Sequence, residues 1–133
     1  MTDRRTKGLS LLLASFFISG CTALAVGGAG TLTGTGTYVY LNRELTTDYY
    51  YSFDRVWEAC EKTVAESHGE EVLPHKEIGF GTISALLYHE EVKITIKYKA
   101  RNVTTVAVRV GLMGNKRSSQ LLHDKILANL SPK

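Results

Sequence analysis

The stretch VGLMGNKRSS, Val110 to Ser119, gathers two glycines, two cations and two serines into one short loop. Placed after a strand and before a helix, free N–H groups at the helix start would act with Lys116 and Arg117. Gly111, Gly114, Lys116 and Arg117 thus form a candidate anion-binding loop. The GxxxxGK[ST] spacing of a P-loop is absent. A GXXG clamp on nucleic acid belongs between helices rather than after a strand, and nucleic acid is not an expected partner. A tight turn closed by a serine cap accounts for the same residues with no ligand, and is the plainer reading.

The second candidate is electrostatic. Residues 43–91 hold eleven acids against four bases, a net −7, whereas residues 92–133 hold nine bases against Asp124 alone, a net +8. Lys93, Lys97 and Lys99 share the wet side of one alternating segment, and Arg109 belongs to the outward set of the next. Together they define a candidate basic sheet face for phospholipid headgroups or another anionic polymer. Two plainer readings compete: a solvated face that discourages sheet pairing, or pairing with the acidic half. Exposed ion pairs contribute only about 0–1 kcal/mol each, which makes pairing a weak reason for the pattern.

Other reactive residue types carry less. His68, His75, His89 and His123 show no ligand spacing and read as surface residues; HEE at 89–91 lacks the second histidine of HExxH. Cys60 falls on an apolar helical stripe with Phe53 and Trp57 and reads as a small core residue. With Cys21 set aside as the anchor residue considered below, it has no disulfide partner, and no thiol metal site can be built. Tyr49, Tyr50 and Tyr51 cannot all point inward from an alternating strand. No Ser/His/Asp set or carboxylate pair is placed by the spacing, so the expectation is no enzyme, no metal and no dissociable cofactor.

These side chains need elements to hold them. YVYLNRELTTDYYY reads as one strand. Ser52 caps a helix whose apolar residues fall at Phe53, Val56, Trp57, Cys60 and Val64, with Gly69 as its stop. EVLPHKEI, broken by Pro74, suits a sheet edge. TISALLY, a turn at HEE, VKITIKYK (Val92, Ile94, Ile96 and Tyr98 inward) and VTTVAVRV (Val106, Val108 and Val110 inward) continue the sheet. Ser118 or Ser119 caps a last helix with Leu122, Ile126 and Leu130, ending before Pro132. The expected fold is α+β, a two-layer sandwich. A mainly antiparallel sheet of four to five strands, order β-α-β-β-β-β-α, carries two helices on one face.

The first 42 residues follow other rules. Arg4, Arg5 and Lys7 precede the apolar run Leu9–Ile18, then come Ser19, Gly20 and Cys21, and no charge returns until Arg43. A basic leader, an apolar centre of about 7–15 residues and small residues at its end mark a secretory signal peptide. Ile18-Ser19-Gly20-Cys21 resembles the lipobox of bacterial lipoproteins. The resemblance implies cleavage between Gly20 and Cys21, a diacylglyceryl thioether on Cys21 and an acyl chain on the new amino group. Two or three chains hold a membrane firmly where one holds it marginally. The expected organisation is a signal peptide at 1–20, lipidated Cys21 with a Gly/Thr-rich tether at 21–37, and one domain at 38–133. The competing reading is a membrane span of roughly 20 residues within the uncharged stretch, with Gly30 and Gly34 at a helix-pairing GxxxG spacing.

In order, the leader, lipobox, Gly-rich tract, YVYLNREL, VWEA, GTISA, VKITI, VAVRVGLMGN and SSQLLHDKI resemble a family of short uncharacterised bacterial lipoproteins, a domain-of-unknown-function group. Its most specific piece is the Arg-Val-Gly-x-x-Gly turn before a serine and an aliphatic helix; an acid often follows the second glycine, where this chain has Asn115. The resemblance implies the small α+β domain and the envelope location, and brings no assigned activity. Thr22, in place of a retaining Asp, implies the periplasmic face of the outer membrane. The expectation is a lipid-anchored, non-catalytic envelope protein. It would bind or help assemble another envelope component, whether a protein or an anionic envelope polymer. The alternatives are an integral protein oligomerising through its Gly-rich helix, or a periplasmic enzyme with an unrecognised site.

Overall fold

The computed structural model describes residues 35–131. The leader, the Gly20–Cys21 cleavage site, residues 22–34 with their GxxxG spacing, and Pro132 lie outside the described residues. The last residues assigned to the tether, 35–37, already touch the sheet: Thr35 bridges Tyr49, and the Gly36 N–H donates to the Asp48 carbonyl at 2.7 Å.

The elements are β1 (Val39–Leu41), β2 (Glu44–Tyr49), α1 (Phe53–Glu66), β3 (Glu70–Glu77), β4 (Phe80–Leu87), β5 (Glu90–Ala100), β6 (Val103–Val110) and α2 (Lys116–Leu130). The α+β class stands, but the sheet has six strands rather than four or five, and the order is β-β-α-β-β-β-β-α. The extra strand comes from a turn inside YVYLNRELTTDYYY, the segment expected to be one strand. Asn42 and Arg43 both take left-handed backbone, φ 52° and 68°, as a two-residue hairpin turn with the twist of its strands requires. Arg43 stands where glycine is the usual signal, so the run reads as continuous. Tyr88 and His89 repeat the device (φ 51° and 65°). The turn is therefore there, and Glu90 and Glu91, expected within it, begin β5.

The strand order is β1-β2-β6-β5-β4-β3, with every neighbouring pair antiparallel. Helix α1 carries the chain from β2 to the far edge, and the meander β3 to β6 returns to pair with β2. Edge strand β3 is exposed along its whole length; Pro74 and a register shift between Glu70 and Leu73 blunt it against further pairing.

Period-two alternation decides which face is covered. Leu45, Ile83, Val92, Ile94, Ile96, Val106, Val108 and Val110 are buried beneath Trp57, Cys60 and Val64 of α1 and Leu122, Ile126 and Leu130 of α2. Tyr98, expected on this buried face, is 56 % exposed, because β5 runs on past the helices there. The helices are also tied to each other. The Arg55 guanidinium donates to the Leu130 carbonyl at 3.1 Å, and the Asn129 amide donates to Thr63 Oγ1 at 2.9 Å.

Ser52 caps α1 as expected, accepting from the Arg55 N–H. The cap of α2 is Asn115, whose side chain accepts from the Ser118 N–H at 3.0 Å, rather than Ser118 or Ser119. Asparagine is as good a cap as serine, and one placed directly after the turn starts the helix three or four residues earlier.

Candidate functional site

The six-stranded sheet has a second face, and no helix among the described residues lies on it. Register places three rows of side chains there. One runs Asp48, Thr105, Lys97, Phe80; the next runs Thr46, Ala107, Thr95, Thr82; the third holds Arg109, Lys93 and Ser84. Three of the four predicted basic residues thus occupy the middle strands of one open face. Lys93 and Arg109 are direct cross-strand partners. Like charges placed opposite each other in a sheet repel, and among the described residues neither forms an ion pair, nor does Lys97. Lys97 lies 6.0 Å from the centroid of the Phe80 ring, a cation–π distance that leaves the ammonium exposed.

Lys99 behaves differently. Its ammonium donates to Asp48 Oδ2 at 2.5 Å, while Thr105 Oγ1 donates to Asp48 Oδ1 at 2.6 Å. Burial pushes the Asp48 carboxyl up, but the hydrogen bonds from Lys99 and Thr105 and the lysine's charge outweigh it and hold the carboxyl below its usual range. The same hydrogen bond and charge raise Lys99. The pairing of basic and acidic halves that the sequence allowed is therefore found at Lys99 and not at Lys93, Lys97 or Arg109. The open cationic group is Lys93, Arg109 and Lys97.

The loop between β6 and α2 is built as a turn. Gly111 and Gly114 have φ 73° and 74°. The N–H of Gly111 donates to the Glu91 carbonyl, that of Gly114 to Gly111 and that of Asn115 to Val110. The loop is also pinned by the β1–β2 hairpin: the Tyr40 hydroxyl donates to the Gly114 carbonyl at 3.2 Å and Arg43 to the Leu112 carbonyl at 3.4 Å. Lys116 lies 6.0 Å from the Tyr40 ring centroid. Gly111, Gly114, Lys116 and Arg117 are thus close together, but the Asn115 side chain already occupies the start of the helix.

A buried polar network joins elements that sequence reasoning kept apart. His123, expected on the surface, is fully buried on α2. Its Nε2 lies 2.7 Å from the Leu45 carbonyl, and its Nδ1 lies 2.8 Å from the Tyr49 hydroxyl. A carbonyl only accepts, so Nε2 carries the proton and Nδ1 accepts from Tyr49. Burial depresses the imidazole to about 4, against which the bond to Leu45 acts in part, and burial likewise pushes the Tyr49 phenol up. Helical spacing contained the signal: His123 stands three residues before Ile126 and seven before Leu130, on the stripe those residues define. Of the other histidines, His75 contacts Glu77 at 2.8 Å in solvent, and His68 and His89 are exposed turn residues. Cys60 is buried, and desolvation raises its thiol. Among the described residues no group of His, Cys, Asp or Glu is arranged to hold a metal, and no helix is long and apolar enough to cross a membrane.

The family described as "Protein of unknown function (DUF3568)" matches residues 8–129. No curated protein matches the chain.

Proposed function

The chain belongs to that family of unknown function, and on this premise we propose that it is a lipid-anchored, non-catalytic protein of the cell envelope whose open sheet face binds an anionic envelope component. Acyl groups on Cys21 hold it at the periplasmic leaflet of the outer membrane, in keeping with the basic leader, the Ile18-Ser19-Gly20-Cys21 sequence and Thr22.

The observation that carries the binding role is the apposition of Lys93 and Arg109 across β5 and β6, without an acidic partner among the described residues, on a face no described helix covers. Two cations held opposite each other on a rigid sheet repel until an anion sits between them, so a phosphate or carboxylate group gains from both at once. Lys97, on the same face of β5, extends the contact along the strand.

A photo-crosslinking residue at Thr95, between Lys93 and Lys97, tests this in intact cells. The expected result is a discrete crosslinked product that disappears when Lys93, Lys97 and Arg109 are changed to Glu, with the circular dichroism of the variant unaltered. A product that persists through the charge reversal would refute the anionic partner. Intact-mass measurement of the membrane-extracted protein tests the anchor separately: a chain beginning at a lipid-modified Cys21 is expected, and one retaining Leu9–Gly20 would overturn it.

A further inference from the structure

We propose that the domain stands end-on against an anionic phospholipid bilayer, with the β3–β4 turn at Ile78, Tyr98 and the β5–β6 turn at Arg101 forming the face that rests on the lipid headgroups. The inference rests on the anchoring of Cys21 proposed above.

The antiparallel topology sends every element to one of two ends. At one end lie the last residues of β2 and β5, the β3–β4 and β5–β6 turns, the first turn of α1 and the last turn of α2. The described chain enters at this same end, where Thr35 bridges Tyr49 and Gly36 bonds Asp48. Side chains of interfacial character collect there. Ile78, at the tip of its turn, is fully exposed; Tyr98 is 56 % exposed and Tyr50 52 %. Phe53, Ile78, Tyr98 and Arg101 line an open groove of about 880 Å³. The Tyr98 N–H donates to the Gly79 carbonyl at 2.8 Å, which ties the Ile78 turn to β5. Aliphatic tips and amphipathic tyrosines on one rim suit the boundary between headgroups and acyl chains; Lys97 and Arg101 add attraction to anionic lipid against the single opposing charge of Glu77, while Lys99 is paired with Asp48 and Lys76 with Asp54.

The opposite end also exposes apolar side chains, Leu41, Leu112 and Met113, beside Arg43, Lys116 and Arg117. Reach separates the two. Thr35 lies 14 positions after Cys21, a separation that spans at most about 50 Å when fully extended. The 11 residues of β5 alone measure about 36 Å. A bilayer at the far end would require most of that length to run back along the domain, whereas a bilayer at the near end requires none of it. End-on seating also leaves the Lys93–Arg109 face upright and open to a partner.

The test uses the full-length protein, extracted from membranes and reconstituted into vesicles of phosphatidylethanolamine and phosphatidylglycerol. Ile78→Cys and Met113→Cys each receive a fluorophore, Cys60 being buried and unreactive. Lipids bearing a nitroxide near the headgroup report proximity. The expected result is quenching at position 78 several-fold stronger than at 113, weakened when phosphatidylcholine replaces phosphatidylglycerol. Equal quenching, stronger quenching at 113, or none at either position would overturn the proposal. Mass analysis of the same sample reads the state of Cys21, so a failed anchor is distinguished from a lipidated protein seated some other way.

Discussion

The phenolic oxygen of Tyr49 on β2 lies 2.8 Å from Nδ1 of His123 on α2, 74 residues further along the chain. Both side chains are fully buried, and the opposite ring nitrogen donates to the Leu45 carbonyl. Three groups that would each be costly to bury alone satisfy one another, and they fasten the last helix to the strand that precedes the first.

This arrangement fixes the sign of a pH effect. The His123 imidazole is held at about 4 in the folded protein, against an ordinary value of 6.5. Between these values the unfolded chain takes up a proton that the folded chain refuses. The contribution of neutral His123 is therefore fully present above pH 6.5 and is lost as pH falls toward 4. The full loss corresponds to about 3 kcal/mol. Urea denaturation between pH 7.5 and 5, above most carboxylate titration, should show stability falling with acid; a flat profile there would contradict the buried neutral imidazole.

Tyr49→Phe keeps the ring and removes the O–H. It leaves Nδ1 of His123 buried without a donor, at a cost of about 1–3 kcal/mol. The midpoint of chemical denaturation should move to lower denaturant with unchanged slope, and a midpoint equal to the wild type would show the bond to be energetically idle.

Ser119 presents the opposite case. Its Oγ is buried and has no hydrogen-bond partner among the described residues. Ser119→Ala removes a desolvated hydroxyl and adds a better helix former, so stability should hold or rise by up to about 1 kcal/mol. Thermal unfolding of the variant checks this; a clear fall in midpoint would mean that the hydroxyl is bonded after all.

The two glycines of the β6–α2 turn should separate in a paired comparison. Both have positive φ, but a Cβ at Gly111 meets nothing within 4 Å among the described residues, whereas one at Gly114 would stand 2.5 Å from the Arg43 carbonyl oxygen. Gly111→Ala should cost about 1–2 kcal/mol of backbone strain alone. Gly114→Ala adds steric displacement of the β1–β2 hairpin, about 1–3 kcal/mol more. Equal losses in denaturation experiments would argue that the hairpin moves aside freely.

Much of the positioning was legible in local pattern. The i, i+3, i+4, i+7 stripe of α1 and the alternation of β5 and β6 concern near neighbours along the chain, and period alone decides which side chains share a face. The assignment of Lys93, Lys97 and Arg109 to one surface follows from that arithmetic. The hairpin at Asn42–Arg43 escaped because its turn carries an arginine in place of glycine. His123 escaped because a polar residue on an apolar stripe reads as a surface residue until its partners are known.

By itself, then, the sequence determined the α+β class, the first helix, the alternating strands and the basic set on their outer side, because each rests on periodicity within a dozen residues. Tertiary structure alone decided the rest. Strand order set Arg109 directly opposite Lys93, β2 beside β6 brought Asp48 within reach of Lys99, and the docking of α2 on β2 gave His123 its two partners. Each of these contacts joins residues that no local period relates, so it exists only once the sheet has closed around its strand order.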